Sequence, residues 1–205
     1  MTKIILVRHG HVEGISPERF RGRADLMLTA EGRRQAEATA RRIQAAWTPV
    51  AVYTSPLSRC RATGEAIAKP FGLSPATRDG LIDIDYGQWQ GLTPGEARSR
   101  WPEPLDTWYR APDWAAIPGG ETLQQVLTRT VAALRDVIGR HPSDSVVLVG
   151  HDSVNRVMLL HALGLPLSRY WRLGQHPCAI NEIEFSGDGF AVLSMNETYH
   201  LAQSG

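Results

Sequence analysis

Little in this chain of 205 residues dedicates it to a membrane, to nucleic acid or to an oxidising compartment. No run approaches the roughly 20 apolar residues a bilayer span requires, and no signal-peptide pattern opens the sequence, so a cytoplasmic protein without membrane contact is expected. A net charge of +1 leaves no broad basic footprint for nucleic acid, and any positive field must be local. Two cysteines, Cys60 and Cys178, make neither a disulfide framework nor a zinc motif and read as reduced thiols. Internal repeats and low-complexity stretches are absent. The remaining composition, 42% hydrophobic and 21% charged, is ordinary for one globular domain able to bury a large core.

The informative features are three short apolar runs and the polar residues at the end of each. Ile4-Ile5-Leu6-Val7 ends in Arg8-His9-Gly10, Val146-Val147-Leu148-Val149 ends in Gly150-His151, and Val50 to Tyr53 leads into Thr54-Ser55-Pro56-Leu57-Ser58-Arg59. Near-continuous apolar runs of this length suit parallel strands buried on both faces. In open α/β sheets ligands collect beyond the carboxyl ends of such strands, so Arg8, His9, Arg59 and His151 are expected to converge on one crevice. Arginine offers a fixed fork of donors for a phosphoryl group, and a neutral imidazole has a nitrogen that can attack phosphorus. The two histidines are expected to hold different charge states, His9 neutral and His151 protonated.

The intervening pattern alternates. A helix is expected from Ala30 to Trp47, with Thr29 as N-cap and Ala36, Ala40, Ile43 and Trp47 as its apolar stripe. A second is expected to open at Ser55-Pro56, serine capping and proline in the first turn, and to run to Ala68. A short strand near Ser74 to Thr77, helices over Thr122 to Arg140 and Ser153 to Leu163, and a terminal hairpin of Ala179 to Phe185 with Phe190 to Met195 complete the pattern. Residues 89–121 break it with four tryptophans and five prolines. This segment reads as an inserted lobe packed on its own side chains, or as a lid over the crevice, with Arg110 and Glu121 its polar candidates.

The motifs LVRHG at Leu6 to Gly10, FRGRADLMLTAEG at Phe20 to Gly32, TSPLSR at Thr54 to Arg59, DIDYGQWQG at Asp83 to Gly91, PGGET at Pro118 to Thr122 and VLVGHD at Val147 to Asp152 occur in this order. The ordered set resembles the histidine phosphatase superfamily, whose members include cofactor-dependent phosphoglycerate mutase and many small-molecule phosphatases. The resemblance covers nearly the whole chain. It implies a single domain, 1–205, built as a three-layer α/β/α sandwich with a mostly parallel central sheet, acting on a small phosphorylated substrate with neither cofactor nor metal. His9 then resembles the nucleophile that becomes phosphohistidine, and Arg8, Arg59 and His151 the cationic pocket around it. The proton donor of the family is normally a glutamate three residues before a Tyr-Gly or Phe-Gly pair. Here that position is Asp83, one methylene shorter, with Asp85 as competitor.

This chain departs from the family pattern after Arg-His-Gly, where His11-Val12 and Glu13-Gly14-Ile15 stand, and after the second histidine, where Asp152 stands. His11, Gly22 and Arg110 are the substrate-contact candidates, with Arg21 and Arg23 in reach of the mouth, yet little is dedicated to a second anionic group. Trp108-Tyr109-Arg110 and Leu92-Thr93-Pro94 stand where mutases of the family commonly carry paired arginines and a lysine, which favours hydrolysis over mutase activity. A phospho-ligand sensor is the non-enzymatic alternative, and a homodimer is left open. A metal site of His9, His11, His151 and Asp152 is disfavoured, because Arg8 and Arg59 would set positive charge beside a dication.

Overall fold

Ile4, Ile5, Leu6 and Val7 have no exposed surface because the strand they form, β1 (Thr2–Arg8), is covered on both faces. Side chains alternate across a strand, so Ile4 and Leu6 enter one core while Ile5 and Val7 enter another. The computed structural model describes residues 1–202 and gives, in chain order, α1 (Ala30–Ala46), β2 (Ala51–Thr54), α2 (Ser58–Ala68), β3 (Ala76–Thr77), α3 (Pro94–Arg100), α4 (Pro102–Arg110), α5 (Leu123–Arg140), β4 (Ser145–Gly150), α6 (Asp152–Ala162), β5 (Ile180–Ser186), β6 (Gly189–Glu197) and α7 (Tyr199–Ala202). The sheet order is β3-β2-β4-β1-β5-β6. The first four strands in this order run parallel, and β5 turns antiparallel to β1 and continues into the hairpin partner β6.

Ala40 and Ile43 of α1 and Cys60, Ile67 and Ala68 of α2 cover Ile5, Val7, Val147 and Val149. Leu134 and Val137 of α5 and Val154, Val157 and Met158 of α6 share the opposite core with Ile4, Leu6, Val146 and Leu148. The outcome is the expected mostly parallel sheet between two helical layers. Thr29 caps α1 by accepting from Gly32 N at 3.1 Å, and Thr122 with Gln125 forms a reciprocal capping box on α5.

Two expectations are revised. The second helix does not open at Ser55-Pro56 but at Ser58 after Leu57, without a side-chain cap. Ser55 Oγ is instead 2.8 Å from His151 Nε2. Residues 89–121 do not pack only on themselves: Trp89, Ala97, Leu105 and Trp108 are buried in the same cluster as Ile4, Leu6 and the α5–α6 contacts. The segment also holds two helices, α3 and α4, that the pattern does not suggest. α3 begins with a Thr93–Glu96 capping box and has Pro94 in its first turn. Trp171 Nε1 donates to Trp108 O at 2.7 Å, tying the segment to the chain beyond α6.

Candidate active site

β1 and β4 are parallel neighbours with Arg8 opposite Gly150, so the next residue of each, His9 and His151, arrive side by side. Their rings meet edge to face with centroids 5.2 Å apart, and both are buried. His9 Nδ1 lies 2.7 Å from Gly10 O. A carbonyl only accepts, so Nδ1 carries the proton and Nε2 keeps its lone pair. Arg59 reaches the same place from the first turn of α2, and its Nε donates to His151 Nδ1 at 3.2 Å. Because Arg59 can only donate, His151 Nδ1 is an acceptor and Nε2 bears the proton, directed to Ser55 Oγ.

Both imidazoles are held well below their ordinary value, first by burial and then by the charge of Arg59. The expected charge difference between the two histidines is therefore replaced by a difference in tautomer. Both are neutral, and His9 is the one whose Nε2 carries the free lone pair.

The remaining Arg59 donors hold the loop that precedes α1: Nη1 donates to Ala24 O at 2.6 Å and Nη2 to Gly22 O at 2.7 Å. Nη2 also pairs with Asp83 Oδ2 at 3.1 Å. Asp83 is buried and accepts further bonds from Ser153 Oγ at 2.5 Å and from Ile84 N at 2.9 Å. Asp85, its competitor, points elsewhere, pairing with Arg23 at 3.3 Å and accepting from Gly87 N at 2.8 Å. Arg8 donates through Nη1 to Gln175 O, while its Nε is buried with no hydrogen-bond partner among the described residues. A buried guanidinium N–H without a partner is costly unless a ligand takes it.

A cleft of about 230 Å³ adjoins this cluster, lined by Arg8, Arg21, Gly22, Asp83, Asp152 and Arg156, whereas His9, Arg59 and His151 are buried and do not line it. Gly22 has φ of +46°, and a Cβ there would crowd Ile84 O and Gln90 Oε1, so glycine is required at this point of the wall. His11 and Arg110 are not part of it. His11 Nδ1 is 3.0 Å from Thr29 Oγ1 and its N–H donates to Gln35 Oε1, anchoring α1 instead. Arg110 ends α4 on the exposed side. Arg23 is spent on Asp85 and Glu121. No group of three His, Cys, Asp or Glu side chains that could hold a metal occurs among the described residues.

A family model described as "Histidine phosphatase superfamily (branch 1)" matches residues 4–198. "Phosphoserine phosphatase 1" of Hydrogenobacter thermophilus is 32% identical, covering 99% of this chain and 96% of its own length. "Metal-independent phosphoserine phosphatase" of Arabidopsis thaliana is 29% identical over 100% of this chain and 85% of its own length. The solved structure of "Bacillus stearothermophilus YhfR" superposes with a TM-score of 0.92 at 27% identity, covering 98% of this chain and 100% of that one. The chain belongs to the histidine phosphatase superfamily. The expected activity class stands with the family, and the protein is a phosphoric monoester hydrolase.

Three features of this histidine phosphatase escape sequence reasoning. Arg156 lines the cleft one helical turn after Asp152, and that spacing is the only signal the sequence offers. Arg129 of α5 donates to Gly80 O, Ile82 O and Asp83 O and pairs with Glu121 at 2.9 Å, bracing the segment that carries Asp83. Gly10 and Gly32 touch backbone to backbone: a Cβ on Gly10 would overlap Gly32 O, and one on Gly32 would overlap His11 O. The first turn of α1 thus rests directly on the loop bearing His9.

Proposed function

We propose that this histidine phosphatase hydrolyses a small phosphomonoester through a phosphohistidine at His9, without a metal ion. The observation that carries the reading is a neutral His9, its Nε2 lone pair kept free by the Nδ1–Gly10 bond, beside the unpartnered Nε of Arg8. Nε2 attacks phosphorus, the N–P bond forms and the P–O ester bond breaks. The leaving oxygen takes its electron pair and a proton, which the Asp83 carboxylate first takes up from solvent and then hands on. Water then attacks the phosphoryl group, Asp83 accepts its proton, and the N–P electron pair returns to Nε2. Charge on the equatorial oxygens is met by Arg8, whose Nε is unpartnered, while Arg59, its donors engaged by Gly22 O, Ala24 O, Asp83 and His151, adds fixed positive charge from behind. These fixed cationic donors in a dry site supply the stabilisation a metal ion would otherwise bring, and the relatives' printed activities, one of them metal-independent, agree with this.

Quenched turnover of radiolabelled phosphomonoester in chelator should leave phosphate on His9, stable in base and lost in acid. The His9→Ala variant should keep its fold, trap no label and lose turnover. Turnover by that variant at the native rate would falsify the nucleophile. Activity that vanishes in chelator and returns with a divalent ion would refute metal independence.

A further inference from the structure

Beyond the phosphoryl pocket the cleft contains a second, differently built cationic point. Arg156 Nε donates to Asp152 Oδ1 at 3.0 Å and Nη1 to Tyr170 O at 3.1 Å. Its guanidinium lies 5.2 Å from the Tyr170 ring centre and 5.1 Å from that of Trp171. Backbone, carboxylate and aromatic faces together leave it one orientation, and its side chain is 13% exposed, within the cleft wall. Nη2 has no partner among the described residues. An arginine immobilised on three sides with one donor edge left for the cleft is preorganised for an oxygen anion.

Position sets how far that anion sits from phosphorus. Asp152 Oδ1 is 3.8 Å from Arg8 Nη1 and 3.0 Å from Arg156 Nε, so the two guanidinium groups flank one carboxylate oxygen. A group held by Arg156 is therefore a few bonds from a phosphoryl group held by Arg8. Asp152 also offsets part of the repulsion between the arginines. Arg21, with its Nε buried and unpartnered, stands in the same wall.

We infer that Arg156 reads a carboxylate on the substrate, placed a few bonds from the phosphoester oxygen, so that phosphorylated hydroxy acids and hydroxyamino acids are preferred over phosphoesters without an acid group. This rests on the phosphatase reading above and goes further, assigning a specificity residue that the relatives' names do not supply. Phe20, Tyr86 and Trp171, which line the cleft, limit the space around the carbon skeleton and favour a short substrate.

The test uses two pairs that differ by one carboxylate: O-phosphoserine against O-phosphoethanolamine, and 2-phosphoglycerate against glycerol 2-phosphate. For the wild-type protein kcat/KM should favour the acid of each pair by at least about tenfold, the scale of one charge-assisted hydrogen bond in a desolvated site. Arg156→Met should collapse both ratios toward one, and Arg156→Lys, with a charge but no fork, should fall between. The wild-type ratios decide the matter even if a variant folds poorly. Ratios near one in the wild type, or ratios that Arg156→Met leaves intact, would sink the inference while leaving the phosphatase reading in place. No turnover of any of the four, with no label on His9, would end both.

Discussion

Arg59→Ala should act first on the fold and only then on the chemistry. Arg59 has no exposed surface, and its guanidinium is shared among Gly22 O, Ala24 O, Asp83 and His151. Truncation strands a buried carboxylate, which typically costs about 3–5 kcal/mol. It also strips two loop carbonyls of their donors, at about 1–3 kcal/mol each where water does not replace them. Asp83 keeps its bonds from Ser153 Oγ and Ile84 N, which reduces the first cost, and water entering the vacated volume reduces the second. A net loss of about 4 kcal/mol remains, a large share of the about 5–15 kcal/mol that holds a typical domain. Urea unfolding followed by tryptophan fluorescence measures it, with the slope checked so that a change in midpoint reports stability. Arg59→Lys separates charge from geometry, because lysine offers a point charge without the fork that spans both carbonyls. It should recover part of the lost stability and little of the activity. A loss below about 1 kcal/mol in Arg59→Ala would refute the reasoning and return Arg59 to a simple phosphate ligand.

Asp83→Asn should slow hydrolysis of alkyl phosphates roughly a hundredfold or more and of p-nitrophenyl phosphate far less, since an activated leaving group hardly needs a proton. Equal losses on both would assign Asp83 to binding, and the same comparison on Asp85→Asn should show no such split. Folding stability should fall as pH drops below the ordinary histidine value of 6.5, because His9 and His151 are held neutral in the fold and the unfolded chain binds more protons there. The slope approaches about 1.4 kcal/mol per pH unit for each histidine. Urea midpoints between about pH 7.5 and about pH 5.5 check it, and a flat profile would contradict the depressed values.

The legible parts of the molecule are those where one residue pattern has one physical solution. β1 and β4 are continuous apolar runs with chemistry at their carboxyl ends, and a parallel pairing of the two leaves His9 and His151 nowhere else to go. α2 starts later than its local pattern suggests because Ser55 looks like a cap but gives its hydroxyl to His151, a tertiary demand invisible to neighbouring residues. α3 carries a readable capping box, yet the prolines and tryptophans around it mask any helical period. The charge of His151 departs from expectation because burial and then the charge of Arg59 both disfavour a protonated imidazole there. Arg129 and Arg156 cannot be found from the chain alone, since long side chains reach across elements whose packing must be known first. Arg110 and His11 lie off the cleft wall for the opposite reason: nearness in sequence to a motif does not place a side chain on it.

The contact between Gly10 and Gly32 makes the loop bearing His9 and the first turn of α1 into one mechanical part. Neither glycine can gain even a methyl group unless the backbone opposite retreats, and a second side-chain change cannot create that room. Protein engineers who graft the Arg8-His9-Gly10 loop onto another scaffold would therefore have to bring the first turn of α1 with it. Libraries that randomise one of these positions while fixing the other should return only glycine.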